Sequence, residues 1–463
     1  MSNKNKKHFR IEKDTIGRKK VPEDVYYGIQ TLRAVENFPI SGIRQKSIFV
    51  CSTSMVKMAA AETNMKLGLL DKRRGKAITR AAKEIIKGKF HDQFIVDVYQ
   101  AGAGTSHNMN VNEVIANRAI EILGGAKGDN SIVHPNDHVN MSQSTNDTYP
   151  TAMRIALLFM LQDLIASIKF LEDALNEKAR EFGRIVKSAR THLQDAVPIM
   201  LGREFKGYST AIFKSRVRVE CTIDALKELG IGATAAGTGI NTPPGYRREV
   251  IYALKRITAI KGLKPSEDMV EAISSMLDFQ RLSSELKGLA LQLIRLANDL
   301  RLMSSGPRTG FNEITLPAVQ PGSSIMPGKV NPVLAEMLNM VCFQVVGNDL
   351  TVSMATQAGQ FELNVMMPVI SYNLLQSIEI LKNSISVFTS KCVKGIKANP
   401  ERCKEMAENS IGLAAVLNPY IGYDAAASIV NDALKKKKTI REIMTEKEIL
   451  SLQGLSLFPP HRK

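Results

Sequence analysis

Residues 333–355 read Val-Leu-Ala-Glu-Met-Leu-Asn-Met-Val-Cys-Phe-Gln-Val-Val-Gly-Asn-Asp-Leu-Thr-Val-Ser-Met-Ala, a stretch apolar around most of a helix circumference. Such a helix needs burial on nearly every side, and one chain offers few places for that. The simplest inference is a helix at the centre of a bundle built from several copies of the chain. Glu336, Asn339, Gln344, Asn348 and Asp349 interrupt the stretch and argue against a membrane span. Two further segments carry a seam of apolar residues with the same rhythm. In one, Leu157, Leu161, Leu164, Ile168, Leu171 and Leu175 alternate steps of four and three; in the other, Leu282, Leu286, Leu289, Leu293, Leu296, Leu300 and Met303 do so. That is the spacing of bundle helices, and the expected class is all-α around a central long-helix bundle.

Shorter helices are expected over Ser47–Leu69, Lys72–Ile86, Val111–Leu123 and Gly202–Leu229, with Asn146-Asp147-Thr148 capping the first seam helix and Pro265-Ser266 opening the second. Ile11–Ile40 reads as an irregular entry, and no strand of any length is expected before residue 146. Gly230–Gly245 is a Gly/Thr/Pro-rich connection. After Ala398-Asn399-Pro400 the helices shorten and basic spacers appear, among them Lys435–Lys438, a run expected at a solvated helix end. The expected domains are therefore 1–145, 146–397 and a small C-terminal 398–463.

The 463 residues carry a formal charge of +17, which suits nucleic acid or a small anionic substrate equally. Aromatic residues make up only 6% with no Trp, and the cations are scattered along helices, so stacking platforms for single strands are not expected. Five widely spaced cysteines with no C-x-x-C pair read as reduced thiols. The start Met1–Lys7 is basic without an apolar core, which reads as neither signal peptide nor anchor. Together these predict a cytoplasmic protein with no membrane or nucleic-acid partner.

The chemistry lies in polar interruptions. Pro321 and Gly322-Ser323-Ser324-Ile325-Met326-Pro327-Gly328-Lys329-Val330-Asn331-Pro332 cannot continue a helix, and loop 321–332 lies between two long ones, as a closing lid does. Gly104-Thr105-Ser106-His107-Asn108 and Ser142-Gln143-Ser144-Thr145-Asn146 each lie immediately before an expected helix, where free N–H groups favour anions. A third cluster is Thr191-His192-Leu193-Gln194-Asp195. His134 and His138 invite a metal reading, but Pro135 breaks the helix that would align them, and no third ligand is near in sequence. G-x-S-x-G, Walker and G-x-G-x-x-G patterns do not occur in the contexts those chemistries need. What remains is a site of neutral donors with one lysine, suited to a small polycarboxylate.

Gly322–Pro332 resembles the signature of the fumarase/aspartase superfamily, whose members release fumarate or a close relative by β-elimination. The likeness extends to Gly104–Asn110, Ser142–Asp147, Thr191–Asp195 and Gly237-Thr238-Gly239-Ile240-Asn241, hence to nearly the whole chain. Ile11-Glu12-Lys13-Asp14, Tyr26-Tyr27-Gly28, Thr145 and Asn418–Tyr423 are most similar to the ammonia-lyase branch acting on L-aspartate. Gly328 and His134–His138 are shared with the fumarase branch, so fumarate hydration is the alternative; a non-catalytic polyanion-binding member is the third. The resemblance implies a three-domain helical fold in a homotetramer, with each active site drawn from three subunits. It also implies that Thr105, Ser144, Thr145 and Ser324 hold the β-carboxylate, and that Thr191, Lys329 and Asn331 hold the α-carboxylate. Asn146 and His192 would lie near the leaving amine and Ser323 would be the base. No cofactor is implied; some members respond to divalent cations, but the sequence shows no ligand set.

Overall fold

Where apolar residues recur every three or four positions, the chain is helical. The structure, a computed structural model, describes residues 8–449; the basic start Met1–Lys7 lies outside the described residues. The N-terminal helices are α1 (Ile29–Asn37), α2 (Ser47–Lys66), α3 (Lys72–Ile86) and α4 (Thr105–Ile122). The middle of the chain carries α5 (Thr145–Glu181), α6 (Leu201–Glu220), α7 (Ile223–Leu226), α8 (Tyr246–Thr258), α9 (Met269–Ser274) and α10 (Leu277–Met303). Then come α11 (Val333–Gln357), α12 (Met367–Lys391), α13 (Pro400–Asn409), α14 (Ala414–Ile421), α15 (Tyr423–Lys436) and α16 (Ile440–Glu446). None is long and apolar enough to cross a membrane.

By contacts the chain forms two compact units. The first combines the described chain up to Leu164 with Arg218–Lys287 and Gln344–Ile380; the second combines Ile165–Val217, Gly288–Phe343 and the described chain from Leu381 on. Both seams are buried along their length. α11 buries Ala335, Leu338, Cys342, Val345 and Val352, but leaves Met340, Phe343, Leu350 and Met354 exposed on one stripe. The all-round apolar character is thus satisfied on one side only within a single chain. In the first unit, Val50, Ile78, Ile85, Val114, Ile115 and Ile120 knit α2, α3 and α4 into one core. In the second, Leu413, Leu417, Ile429 and Ile443 do the same for the C-terminal helices.

Several expectations are corrected. Phe9–Lys13 (β1) and Arg18–Pro22 (β2) form an antiparallel hairpin, Phe9 opposite Pro22 and Lys13 opposite Arg18, where no strand was expected. The alternation is inverted: Phe9 and Ile11 face out, while Glu12 is buried and accepts the Ile29 N–H at 2.8 Å. An apolar pattern cannot reveal a strand whose inward residue is a carboxylate. α4 starts at Thr105, not Val111, because His107, Asn108, Asn110, Asn112 and Glu113 are all buried and give its inner face a polar rhythm. The cluster expected before that helix forms its first turn. The second seam helix opens at Leu277; Pro265 pairs in a short strand instead, and Asp268 caps the separate α9 through Val270 and Glu271. Gly202–Leu229 is broken after Glu220. Lys435 and Lys436 end α15 in solvent as expected.

Candidate active site

In the first unit, α4 and α5 bring their N-termini to one place. Gly104 holds the entry to α4 at φ +95°, and a Cβ there would lie 2.2 Å from the Tyr149 ring, so only glycine fits. Thr105 follows, exposed, donating to the Gly102 carbonyl at 2.7 Å and lying 3.2 Å from Thr145 Oγ1. α5 begins one residue before the expected cap, with a reciprocal cap of its own. Ser144 Oγ accepts the Asn146 N–H at 3.2 Å, and Asp147 Oδ1 accepts the Ser144 N–H at 3.0 Å. Asp147 Oδ2 accepts the N–H groups of Gly232 at 3.0 Å and Thr234 at 2.9 Å. Asn146 Nδ2 donates to the Ala235 carbonyl at 2.8 Å. One turn of helix therefore both carries Ser144, Thr145 and Asn146 and clamps the glycine-rich connection. Burial pushes the Asp147 carboxyl up to about 6 against these donors. Burial holds His107, in the first turn of α4, neutral, its pKa drawn down to about 3, with the Lys57 charge acting in the same direction.

In the second unit, Thr191 and His192 sit on the hairpin of β3 (Val186–Thr191) and β4 (Gln194–Met200). Thr191 pairs with Gln194, so His192 and Leu193 form a two-residue turn with φ +55° and +60°. Such turns usually take Asn or Gly, and holding two ordinary side chains there stores strain. The stem is anchored by Glu313, fully buried, which accepts Lys187 and Arg190 at 2.7 Å each, while the Arg190 guanidinium lies 4.2 Å above the Phe311 ring. Both Thr191 and His192 are exposed.

The lid belongs to the same unit. The Gly322 N–H donates to the Lys329 carbonyl at 2.9 Å, and Asn331 Nδ2 returns to the Gly322 carbonyl at 2.5 Å, closing the loop at its base. Within it Ser323 Oγ accepts two backbone N–H groups, Ile325 at 3.2 Å and Met326 at 3.0 Å. Ser324 and Lys329 are exposed. Thr105, Ser144, Thr145 and Asn146 thus lie in the first unit, and Thr191, His192, Ser323, Ser324, Lys329 and Asn331 in the second.

A lyase family model matches residues 17–347 and a fumarase C C-terminal family model matches residues 413–456. The chain is 51% identical to the aspartate ammonia-lyase of Bacillus sp. over 447 residues, covering 96% of this chain and 95% of that one. Against the aspartate ammonia-lyase of Bacillus subtilis (strain 168) it is 48% identical over 451 residues, covering 97% and 95%. The chain belongs to the fumarase/aspartase superfamily of lyases. A class II fumarase from Schistosoma mansoni has the same fold, with TM-score 0.93 over 98% of this chain and all of that one, at 38% identity.

The lyase match spans every site residue predicted from sequence. Sequence reasoning missed Lys57 and Asn140, and Asn108 was legible only as a member of its polar cluster; Asn108 Nδ2 donates to Thr145 Oγ1 at 3.1 Å. Lys57 is fully buried on α2 and donates to Asn140 Oδ1 at 2.8 Å and to Gln143 Oε1 at 3.0 Å. Its signal was a lone cation between Val56 and Met58 on a face otherwise made of Thr53, Ala60 and Asn64. His134 accepts the Asn136 and Asp137 N–H groups, and His138 Nδ1 accepts the His134 N–H at 2.8 Å, so both histidines cap a single turn. Among the described residues no three His, Cys, Asp or Glu side chains gather to hold a metal ion, and all five cysteines are free thiols.

Proposed function

We propose that the chain is an aspartate ammonia-lyase, which removes ammonia from L-aspartate to give fumarate, reversibly. The relatives named ammonia-lyase, at about half identity over nearly the full length, support this over fumarate hydration. Ser323 takes the proton from the carbon beside the β-carboxylate. The electron pair moves into that carboxylate as an aci-carboxylate, then returns to form the double bond as the C–N bond breaks and the amine leaves with its pair. Thr105, Ser144, Thr145 and Ser324 hold the carboxylate where charge grows, placed in advance so that no reorganisation is needed. Thr191, Lys329 and Asn331 hold the α-carboxylate, and Asn146 and His192 receive the departing amine.

The observation that carries the role of Ser323 is its pair of N–H donors. A hydroxyl is a poor base in water, and two amides directed at its oxygen favour the alkoxide once water is excluded. The reaction moves no electrons to a carrier and needs no cofactor. The proposed assembly is a cytoplasmic homotetramer of three-domain subunits, with sites shared by three copies and no nucleic-acid or membrane partner. The exposed stripe Met340, Phe343, Leu350 and Met354 supports such an assembly. The test is the ultraviolet absorbance of fumarate's conjugated double bond, followed with either L-aspartate or L-malate. A rise with aspartate alone establishes the activity; a rise with malate alone makes the protein a fumarase.

A further inference from the structure

The network behind Thr145 has a direction, and a buried cation holds it at one end. Asn140 Oδ1 accepts from Lys57 Nζ at 2.8 Å, from Asn108 Nδ2 at 3.1 Å and from Asn112 Nδ2 at 3.2 Å. Asn108 Nδ2 also donates to Thr145 Oγ1 at 3.1 Å. An ammonium has three donors and no acceptor, so Asn140 can turn only its oxygen towards Lys57. That oxygen can only receive, so Asn108 must present its nitrogen, and the same nitrogen then faces Thr145. The Asn108 oxygen is left buried without a hydrogen-bond partner, as is that of Asn112. Leaving acceptors unpaired is costly, so the orientation is imposed from Asn140, whose oxygen is held by the Lys57 ammonium and whose Nδ2 donates to the Gln143 carbonyl at 3.3 Å. Burial draws the Lys57 pKa down to about 7 while the Asp147 charge acts the other way, so the ammonium form orients the network below that value.

The consequence falls on one hydrogen. The Thr145 oxygen receives Asn108, while Thr105 gives its own hydrogen to the Gly102 carbonyl. Thr105 Oγ1 also approaches Thr145 Oγ1 as a donor at 3.2 Å, so the Thr145 oxygen accepts within the protein and its own hydrogen is left for a carboxylate bound there. We propose that Lys57 is a positioning residue, whose buried ammonium orients the Asn140–Asn108 amides and so keeps Thr145 a donor to the substrate carboxylate. This rests on the reading of Thr145 as a carboxylate-binding residue. Without the cation only the long bond from Asn140 Nδ2 to the Gln143 carbonyl, 3.3 Å, opposes reversal of Asn140; once it reverses, Asn108 can offer its unpaired oxygen to Thr145, drawing the hydrogen away from the substrate.

A double-mutant cycle on the full chain tests it, with kcat and KM for L-aspartate and the thermal midpoint measured for Lys57→Met, Thr145→Val and the pair. The expected result is a loss of about tenfold or more in kcat for Lys57→Met, short of the roughly 100-fold for removing an oxyanion donor outright because the hydroxyl is misdirected and not lost, with a smaller change in KM. In the Thr145→Val background that loss disappears, because the hydroxyl being oriented is gone. A loss that multiplies with that of Thr145→Val means that Lys57 serves the core alone and overturns the proposal. Thr145→Val turning over like wild type removes the premise and overturns both readings, which separates the two failures. Should Lys57→Met not fold, Asn108→Asp takes its place, since a carboxylate of the same size can only accept from Thr145. Its kcat loss must likewise vanish beside Thr145→Val; wild-type turnover, or a multiplying loss, overturns the proposal.

Discussion

The Ser323 hydroxyl oxygen lies 3.0 Å from the backbone nitrogen of Met326, three residues on, and accepts its hydrogen. The loop thereby builds a small positive pocket for its own side chain from backbone alone. Ser323→Ala keeps the backbone and removes only the acceptor. It is expected to lower kcat at least about 100-fold, the lower end for loss of a general base, with KM little changed. Steady-state rates followed by fumarate absorbance check this, and near-wild-type turnover would remove Ser323 from the reaction.

Gly322 is the closing point of the same loop. A Cβ there would lie 2.3 Å from the Lys329 carbonyl oxygen and 2.7 Å from the Asn331 nitrogen, both backbone atoms that have nowhere to go. Gly322→Ala should open the base of the lid and reduce kcat/KM by about tenfold or more, since a misplacement of about 1 Å can cost about 100-fold. The helices do not depend on this contact, so the thermal midpoint should stay within about a degree of wild type, a change of a few tenths of a kcal/mol. A midpoint that falls along with the activity would mean that the loop base is part of the core.

His107 gives a pH dependence with a definite sign. Unfolded, it titrates near 6.5; folded, its pKa is drawn down to about 3 by burial and by Lys57. Between those values the unfolded chain binds the extra proton, so stability falls as pH drops through that window, by up to about 1.4 kcal/mol per pH unit. The comparison that isolates this group is wild type against His107→Gln. Thermal midpoints at neutral pH and about two units lower should fall further for wild type than for the variant; equal falls would show that His107 does not titrate this way.

The bundle was legible because its seams are runs of Leu, Ile and Met whose rhythm matches their burial. Lys72–Ile86 was legible to the residue, since its apolar and charged faces are separate. The polar interruptions were legible as places: Thr105 and Thr145 meet, and 321–332 forms a loop. What stayed hidden has a common physical cause, polar groups turned inward. Glu12 inverts the pattern of the first strand, His107 to Glu113 mask the first turns of α4, and Lys57 looks like an ordinary surface lysine in sequence. The hairpin turn at His192-Leu193 was hidden for another reason. Its positive φ angles are carried by residues that rarely adopt them, and no local preference announces that.

On α11, Met340, Phe343, Leu350 and Met354 lie on one exposed stripe at steps of three, seven and four. That is the spacing of a helix-to-helix seam, and Gly347 between Phe343 and Leu350 has open space where its Cβ would be. Leu350→Arg should break the proposed homotetramer, giving a smaller species by light scattering and, with the proposed sites shared between copies, almost no turnover. An intact assembly in that variant would place the interface elsewhere.

Glu313 is the last test, because it links the hairpin to its foundation. The carboxylate is fully buried, receives Lys187 and Arg190 at 2.7 Å each, and has Glu204 as its neighbour across Lys187 at 2.9 Å. Glu313→Gln keeps the shape but removes the charge, leaving Lys187 buried with Glu204 alone and turning one amide donor towards a cation. Breaking a buried pair in this way costs about 3–5 kcal/mol, enough to lower the thermal midpoint by several degrees. The strained turn that carries Thr191 and His192 is held by the same stem, so the variant should also raise KM for L-aspartate. A lowered midpoint with unchanged KM would mean that the turn keeps its shape without the carboxylate, and that the strain at His192 is borne by β4 instead.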